Sequence, residues 1–152
     1  AEFKKKAARL VAAMNATRSV LSEMGGELDV FRASAKAMPI QESLQLLKEI
    51  DELEKELEAI NIAMNGDPNL GRLDMDGDYD MRQRAQSAAY DIYGSLSDVT
   101  GTSIKNYEIA ADEFTPILTS VRALQSRMEA MHRKLGSRNS PWLAGALPNW
   151  SK

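Results

Sequence analysis

The chain has 152 residues, of which 43% are hydrophobic and 27% are charged, and its net charge is −3. This composition is typical of a folded globular protein, and the acidic balance gives no general attraction to nucleic acid or to an anionic membrane. Cysteine is absent, which excludes disulfides, thiol nucleophiles and cysteine metal sites. No apolar run approaches the ~20 residues that cross a bilayer, so we predict no membrane insertion. Because of the acidic net charge, we predict no nucleic-acid partner either.

The first 38 residues carry the most regular pattern in the chain. Their apolar positions recur in alternating steps of three and four, a heptad pattern that indicates one long helix over about 3–38. These positions are Phe3, Ala7, Leu10, Met14, Thr17, Leu21, Met24, Leu28, Phe31, Ala35 and Met38. The pattern continues through Gly25 and Gly26, and Pro39 is expected to end the helix. An apolar stripe of this length must be covered by the later segments of the chain.

A second helix is predicted over 40–64 and is expected to end at Asn65 and Gly66. Its predicted apolar seam is formed by Ile50, Leu53, Leu57, Ile60 and Met64, with Leu44, Leu46 and Leu47 widening it near the start. Its glutamates lie mostly away from that seam and are expected to form a solvated face. These are Glu49, Glu52, Glu54, Glu56 and Glu58.

The loop that follows, 67–80, contains four alternating carboxylates. They belong to Asp74, Asp76, Asp78 and Asp80. Such a pattern suits a hard cation, and Ca²⁺ is the one cofactor that the sequence suggests. The match to an EF-hand is poor, since Gly77 precedes the third acid and the twelfth position is Ala85. The alternative is that Asp78 or Asp80 caps the next helix.

Two more helices are predicted, over 80–99 and 103–135. The last one has an apolar seam like that of the first. Its positions are Ile104, Tyr107, Ala111, Phe114, Leu118, Val121, Gln125 and Met128. Pro116 is expected to kink this helix, because it removes the N–H that would bond the carbonyl of Asp112.

The tail, 137–152, is predicted to be ordered but not helical, because it contains two prolines and a glycine. Trp142 and Trp150 are expected to pin it across the bundle surface, which makes them candidate interaction residues. Short connections favour an all-α, antiparallel up-down-up-down four-helix bundle, with the first and last helices as a longer outer pair. We predict one domain spanning 1–152.

The sequence offers little for catalysis. His132 is the only histidine, and Glu129 three residues earlier completes only half of one Glu-x-x-His motif of the kind that di-iron bundles use twice. No phosphate-binding glycine loop is present. We therefore predict no catalytic residue in this chain. The methionines lie mainly on the seams, where they fill gaps, and the alternative is a methionine-lined groove for client peptides.

Two stretches point to a family: YEIAADEF at 107–114 and SPWLAGALPNW at 140–150. They resemble the C-terminal end of large bacterial BNR-repeat glycosyl hydrolases with sortilin-like propellers. The chain departs from that pattern at 143–145, where Leu-Ala-Gly replaces the more usual Thr-Pro-Gly. The resemblance implies a C-terminal piece of an exported protein, periplasmic, secreted or on the cell surface. Any hydrolase chemistry would then belong to the propellers.

The sequence thus predicts a non-catalytic helical module that acts in packing, assembly or partner binding. Its expected partner is the upstream propeller domain or another protein chain. Two alternatives remain: a periplasmic chaperone-like protein that binds clients, and a calcium-dependent regulatory module that uses the acidic loop. An open methionine-rich surface would favour the former, and Ca²⁺ binding the latter.

Overall fold

A computed structural model describes residues 2–66 and 101–137, and all the elements in these two ranges are helices. They are α1 (Glu2–Lys36), α2 (Ile40–Asn65) and α3 (Gly101–Ser137). The all-α prediction is confirmed for these ranges. The four-helix count is not confirmed, because the described ranges hold three helices; the helix predicted over 80–99 and the tail after 137 lie outside them.

The apolar stripe of α1 is covered, as its spacing predicts. Nine of its eleven predicted positions, from Ala7 to Ala35, are buried, and Phe3 and Met38 at the two ends are half-buried. Thr17, the one polar member, is accommodated because its hydroxyl donates to the carbonyl of Ala13 at 2.7 Å. The stripe therefore forms one side of a closed apolar seam.

The glycine pair lies inside α1 without ending it. A Cβ added to Gly25 would come no closer than 4.0 Å to Leu57, and one added to Gly26 would meet nothing within 4 Å. We expect Gly26→Ala to raise the free energy of unfolding by up to about 1 kcal/mol, because alanine loses less backbone entropy in a helix than glycine. Thermal and urea unfolding would measure the gain; a loss would show that Gly26 is needed for a bend or a close contact.

The ends of α1 and α2 are set by proline and glycine. The Pro39 carbonyl accepts the first two N–H bonds of α2, from Glu42 at 3.0 Å and Ser43 at 2.9 Å. Gly66 has a φ of 79°, in the left-handed region, and its amide donates to Ile62 at 2.7 Å. This is the C-terminal stop that glycine favours, and both predicted helix ends are thus close to the observed ones.

The seam of α2 is confirmed, with one error at its start. All five predicted seam residues are buried, from Ile50 to Met64, and so is Leu46. Leu44, however, is 64% exposed and Leu47 is half-buried, so the face does not widen as predicted. The buried set continues instead through Ser43, on the same side of the helix.

The seam of α3 was predicted correctly at alternate positions and one residue too late at the positions between them. Phe114, Val121 and Met128 are buried as expected, whereas Ile104 and Gln125 are exposed. The other buried positions are Ser103, Ala110, Ile117, Leu124, Met131 and Leu135. The helix continues through Pro116, which is on its exposed side. The carbonyl that loses its N–H partner, that of Asp112, is on an exposed residue and can be hydrated.

The chain divides into two compact units. The first comprises Ala1–Ser19 and Ile60–Ser120, and the second Val20–Ala59 and Val121–Lys152. Each of the three helices contributes a segment to both units. In the first unit the ring of Phe3 meets that of Tyr107 edge-on, with centroids 5.6 Å apart, so α1 packs on α3 there.

In the second unit, the contacts establish the direction of each helix. Arg32 reaches Asp51 and Glu54, whereas the earlier Gly25 faces the later Leu57, so α1 and α2 are antiparallel. The cross-helix ion pairs of α2 with α3 show that these two are also antiparallel, since Glu49 pairs with Lys134 and Glu56 with Arg127.

It follows that α1 and α3 are parallel in this unit. Phe31 contacts His132, and the segment of α1 before it, 20–27, lines a groove with 125–129 of α3. The up-down-up-down prediction required the first and last helices to be antiparallel and is wrong on this point. Since α2 is antiparallel to both of them, α1 and α3 have the same direction.

Candidate functional site

An interhelical groove in the described part of the second unit lies between α2 and α3. It encloses about 310 Å³ and has buried Leu53 and Met131 among its lining residues. The other lining residues are Glu49, Glu52, Arg127, Ala130 and Lys134. An apolar surface between charged side chains is the arrangement expected where two amphipathic helices meet. We call this the α2–α3 groove.

Ion pairs cross the α2–α3 interface. The ammonium of Lys134 donates to both carboxylate oxygens of Glu49, at 2.8 and 3.0 Å. Arg127 pairs with Glu56, which lies about two turns after Glu49 on α2. These pairs are partly exposed, so each contributes little to stability, but together they favour one register between the helices. Their charges are directed at one another across the groove.

A third ion-pair cluster joins α1 to α2. The guanidinium of Arg32 donates to Glu54 through Nη2 at 2.6 Å and Nε at 3.3 Å, and to Asp51 through Nη2 at 2.6 Å. The hydrogen bonds to Glu54, and then to Asp51, raise the pKa of Arg32. A two-pronged arginine–carboxylate contact is stronger and more directional than a lysine pair. This cluster therefore fixes how α1 lies on α2.

We expect Arg32→Gln to lower the free energy of unfolding by about 1 kcal/mol at low salt, because both carboxylates lose their partner. In about 1 M NaCl the loss should shrink, since screening weakens exposed pairs. Urea unfolding at the two salt concentrations measures it. Arg122→Gln, on the exposed side of α3, is the control and should change stability by less than about 0.5 kcal/mol. Equal effects from the two substitutions would contradict a specific role for Arg32.

The second groove lies between α1 and α3 and encloses about 150 Å³. It is lined by Val20, Glu23, Met24, Glu27, Gln125, Met128 and Glu129. Burial raises the pKa of Glu27; His132 opposes that shift and Glu129 adds to it. The three carboxylates, those of Glu23, Glu27 and Glu129, make this concave surface acidic.

His132 is half-buried near this α1–α3 groove and within electrostatic reach of Glu27. Its ring meets that of Phe31 edge-on, with centroids 6.4 Å apart. Glu129 and His132 are one turn apart on α3, which leaves the half motif seen in the sequence. Within residues 2–66 and 101–137, no three His, Cys, Asp or Glu side chains are grouped so that they could hold a metal ion.

We expect Glu27→Gln to become more stabilising as the pH rises. A carboxyl whose folded pKa lies above its ordinary value of 4.5 favours the folded state below that pH and loses this contribution as it ionises. The variant should therefore match the wild type near pH 4 and exceed it at pH 7. Glu58→Gln, on the exposed face of α2, measures the effect of removing one negative charge elsewhere. Urea midpoints across pH 4–7 that give a flat or falling difference would contradict the burial of Glu27.

Among the large apolar side chains of residues 2–66 and 101–137, the two most exposed lie at the start of α2, next to the turn from α1. Ile40 is 74% exposed and Leu44, one turn later, is 64% exposed. We call this pair the turn patch. The adjoining α1 and turn residues Ala33 and Ala37 are also exposed. The two side chains are one turn apart and form a small exposed apolar patch on one face of α2.

The residues proposed as sites from the sequence alone lie outside the described ranges. These are Asp74, Asp76, Asp78 and Asp80 for Ca²⁺ and Trp142 and Trp150 for interaction. Both proposals remain predictions. Calorimetric titration with Ca²⁺ tests the first, and the absence of heat at millimolar metal would end it.

The residues that sequence reasoning missed are the ion-pairing glutamates. Glu49, Glu54 and Glu56 were assigned to a solvated face, yet each pairs with a cation on a neighbouring helix. Each directly precedes or follows a seam residue. That flanking position is the one from which charged side chains reach across a helix interface, and it was the available signal.

Comparison with known families, characterised proteins and solved structures gives no match to this chain. None of α1, α2 and α3 contains an apolar stretch with the length and purity that a bilayer-crossing helix needs.

Proposed function

We propose that this chain is a non-catalytic helical module that serves in packing, assembly or partner binding. We further propose that it forms the C-terminal part of an exported protein with BNR-repeat propellers, located in the periplasm, outside the cell or on its surface. Its partner would be the propeller domain of the same protein or another protein chain.

The observation that carries the proposal is the closure of the α1 seam. Leu10, Leu21 and Phe31 are all buried within the single chain. Charged residues beside the seam, among them Arg32, Arg127 and Lys134, form ion pairs between the helices. What such a scaffold offers to other molecules is its outer helix faces, which suits a structural or binding role.

The methionines bear on the chaperone-like alternative. A client-binding groove needs them exposed and mobile, whereas Met14, Met24, Met64, Met128 and Met131 are all buried. Five buried methionines support a packed seam and count against a methionine-lined client surface in the described part of the chain.

The resemblance of 107–114 and 140–150 to the ends of BNR-repeat proteins supports the proposed parent protein. The most direct test is to read the natural coding sequence upstream of Ala1. Propeller repeats there would support the proposal. An upstream sequence without them would overturn the propeller assignment.

Two assays, each made on the parent protein and on this isolated chain, would test whether catalysis belongs to the propellers and partner binding to this chain. If the parent protein cleaves aryl glycosides, the isolated chain should release no product above buffer, because the reacting groups would belong to the propellers. Hydrogen exchange of the parent should show slower exchange on outer faces of α1 or α2 than in the isolated chain. Turnover by the isolated chain, or identical exchange in both, would contradict the non-catalytic interaction role.

A further inference from the structure

We propose that Asn65, the last residue of α2, is a deamidation site whose reaction requires the final turn of that helix to open. The attacking group is the backbone amide of Gly66, and water is the co-reactant. The inference does not depend on the proposed function, since it follows from the chemistry and geometry of these two residues. Three observations carry it: the sequence at this helix end, the exposure of Asn65 and the hydrogen bond that holds Gly66.

Asn65 has the sequence context that favours deamidation most. Of the seven asparagines in the chain, it is the only one followed by glycine. The reaction joins the side-chain carboxamide to the amide nitrogen of the next residue, and a glycine leaves that nitrogen unhindered because it has no Cβ. Asn65 is also exposed, so water can reach its carboxamide and ammonia can leave.

The reaction has two steps. The Gly66 amide loses its proton and its nitrogen attacks Cγ of Asn65. The N–Cγ bond forms, the Cγ–Nδ2 bond breaks, and Nδ2 takes up the proton and leaves as ammonia, so that a five-membered succinimide remains. Water then adds to one of the two ring carbonyls and opens the ring, which yields aspartate, or isoaspartate with the main chain running through Cγ. The net change replaces NH2 by OH, without oxidation or reduction.

The closed helix end blocks the first of these steps. Asn65 has helical backbone, and the N–H of Gly66 donates to the carbonyl of Ile62 at 2.7 Å. In this arrangement the amide points back along the helix axis to that carbonyl, and the acceptor holds the proton that must leave. The hydrogen bond has to break, and the ψ angle of Asn65 has to leave the helical range, before the five-membered ring can close.

Only the last turn has to open, not the whole fold. Met64, one residue earlier, has 0% exposure and anchors the helix up to that point. Gly66 has a φ of 79°, which marks the end of the helical backbone. Helix ends open at far lower free energy than buried segments, so we expect the folded chain to react about 10–100-fold more slowly than the unfolded chain. Global unfolding would impose a much larger factor.

The product weakens the helix end at which it forms. A carboxylate at position 65 adds negative charge at the C-terminus of α2, where the helix macrodipole favours positive charge. The last turn of α2 contains no basic residue that could offset it. Isoaspartate in addition lengthens the main chain by one carbon, which moves the Gly66 amide out of register with the carbonyl of Ile62. Each conversion therefore loosens the turn that restrains the reaction.

Mass spectrometry measures the reaction directly. The chain is incubated above neutral pH, folded and in guanidinium chloride, and fragment spectra locate the mass gain at Asn65. We expect the folded chain to react about 10–100-fold more slowly than the unfolded chain. Asn65→Gln should show no gain at this position, because glutamine would have to close a less favourable six-membered ring. Equal rates in the two states would overturn the proposal, as would protection of more than about a thousandfold, which would assign the reaction to global unfolding.

A matched pair of glycine variants separates local opening from global unfolding. Ala63→Gly weakens the last turn of α2, whereas Ala16→Gly weakens α1; both alanines are exposed, so each substitution loses about the same helix propensity. In the folded chain, Ala63→Gly should accelerate the mass gain by up to about fivefold and Ala16→Gly should leave it unchanged. In the unfolded chain both variants should match the wild type. Equal acceleration by the two variants, or none by Ala63→Gly, would contradict reaction through the last turn.

Discussion

Replacing Phe31 by alanine is expected to lower the free energy of unfolding by about 3–5 kcal/mol, the usual cost of removing a fully buried phenylalanine. Phe31 has 0% exposure, is the largest fully buried side chain in the described ranges and meets the ring of His132. A loss of this size is a large part of the stability of a domain this small. Urea unfolding followed by circular dichroism would measure it.

The matched control is Ile104→Ala, which removes an apolar side chain that is 41% exposed. It should cost about 1 kcal/mol or less, because much of its surface already meets water. If Phe31→Ala cost no more than Ile104→Ala, the seam between α1 and its neighbours would not be closed at Phe31.

Replacing Pro116 by alanine is expected to have the opposite sign and to stabilise the chain by about 2 kcal/mol. Proline in a helix interior lowers stability by about 3 kcal/mol relative to alanine. About 1 kcal/mol of this gain is offset in the alanine variant, because its unfolded chain is more flexible and loses more entropy on folding. Pro116 is exposed in the middle of α3, so removing its ring sacrifices no packing. The new N–H can donate to the carbonyl of Asp112.

Ser126→Ala, a substitution at another exposed position of α3, serves as the control and should change stability by less than about 0.5 kcal/mol. Helicity by circular dichroism should rise slightly in Pro116→Ala alone. A destabilised Pro116→Ala variant would mean that the proline ring makes a contact that stabilises the folded state, which would contradict its exposure.

The sequence predicted α1 well for a physical reason. Large apolar side chains such as Leu10, Leu21 and Phe31 alternate with charged or small residues over five heptads, so one helix phase is clearly favoured. The stops at Pro39 and Gly66 were equally readable, since both act through local backbone geometry.

The phase of α3 was harder to predict because its buried face contains small residues. Ser103 and Ala110 carry almost no hydrophobic signal, whereas Ile104 beside them is large and apolar yet 41% exposed. The pattern therefore favoured Ile104. Leu44 misled in the same way, since an exposed leucine next to a buried Leu46 cannot be recognised from hydrophobicity alone.

The parallel arrangement of α1 and α3 could not be deduced from the sequence. The 34 residues of 67–100 separate α2 from α3, and a connection of that length does not fix the direction of the next helix. The Lys134–Glu49 ion pair spans this connection, so it became visible only with the helix directions.

The central claim is that one chain closes its own seam, with α1 and α3 parallel in the second unit. Because the sequence has no cysteine, spin labels can be placed cleanly in two double variants, Ser22→Cys with Ser126→Cys and Ser22→Cys with Arg133→Cys. All three positions are exposed. Pulsed electron resonance of each variant, diluted with unlabelled chain, then gives both distances within one molecule.

We expect the Ser22–Ser126 distance to be the shorter, because Arg133 lies seven residues, or about 10 Å, further along α3. Both distances should persist on dilution. A shorter Ser22–Arg133 distance, or signals that vanish when unlabelled chain is added, would contradict the account.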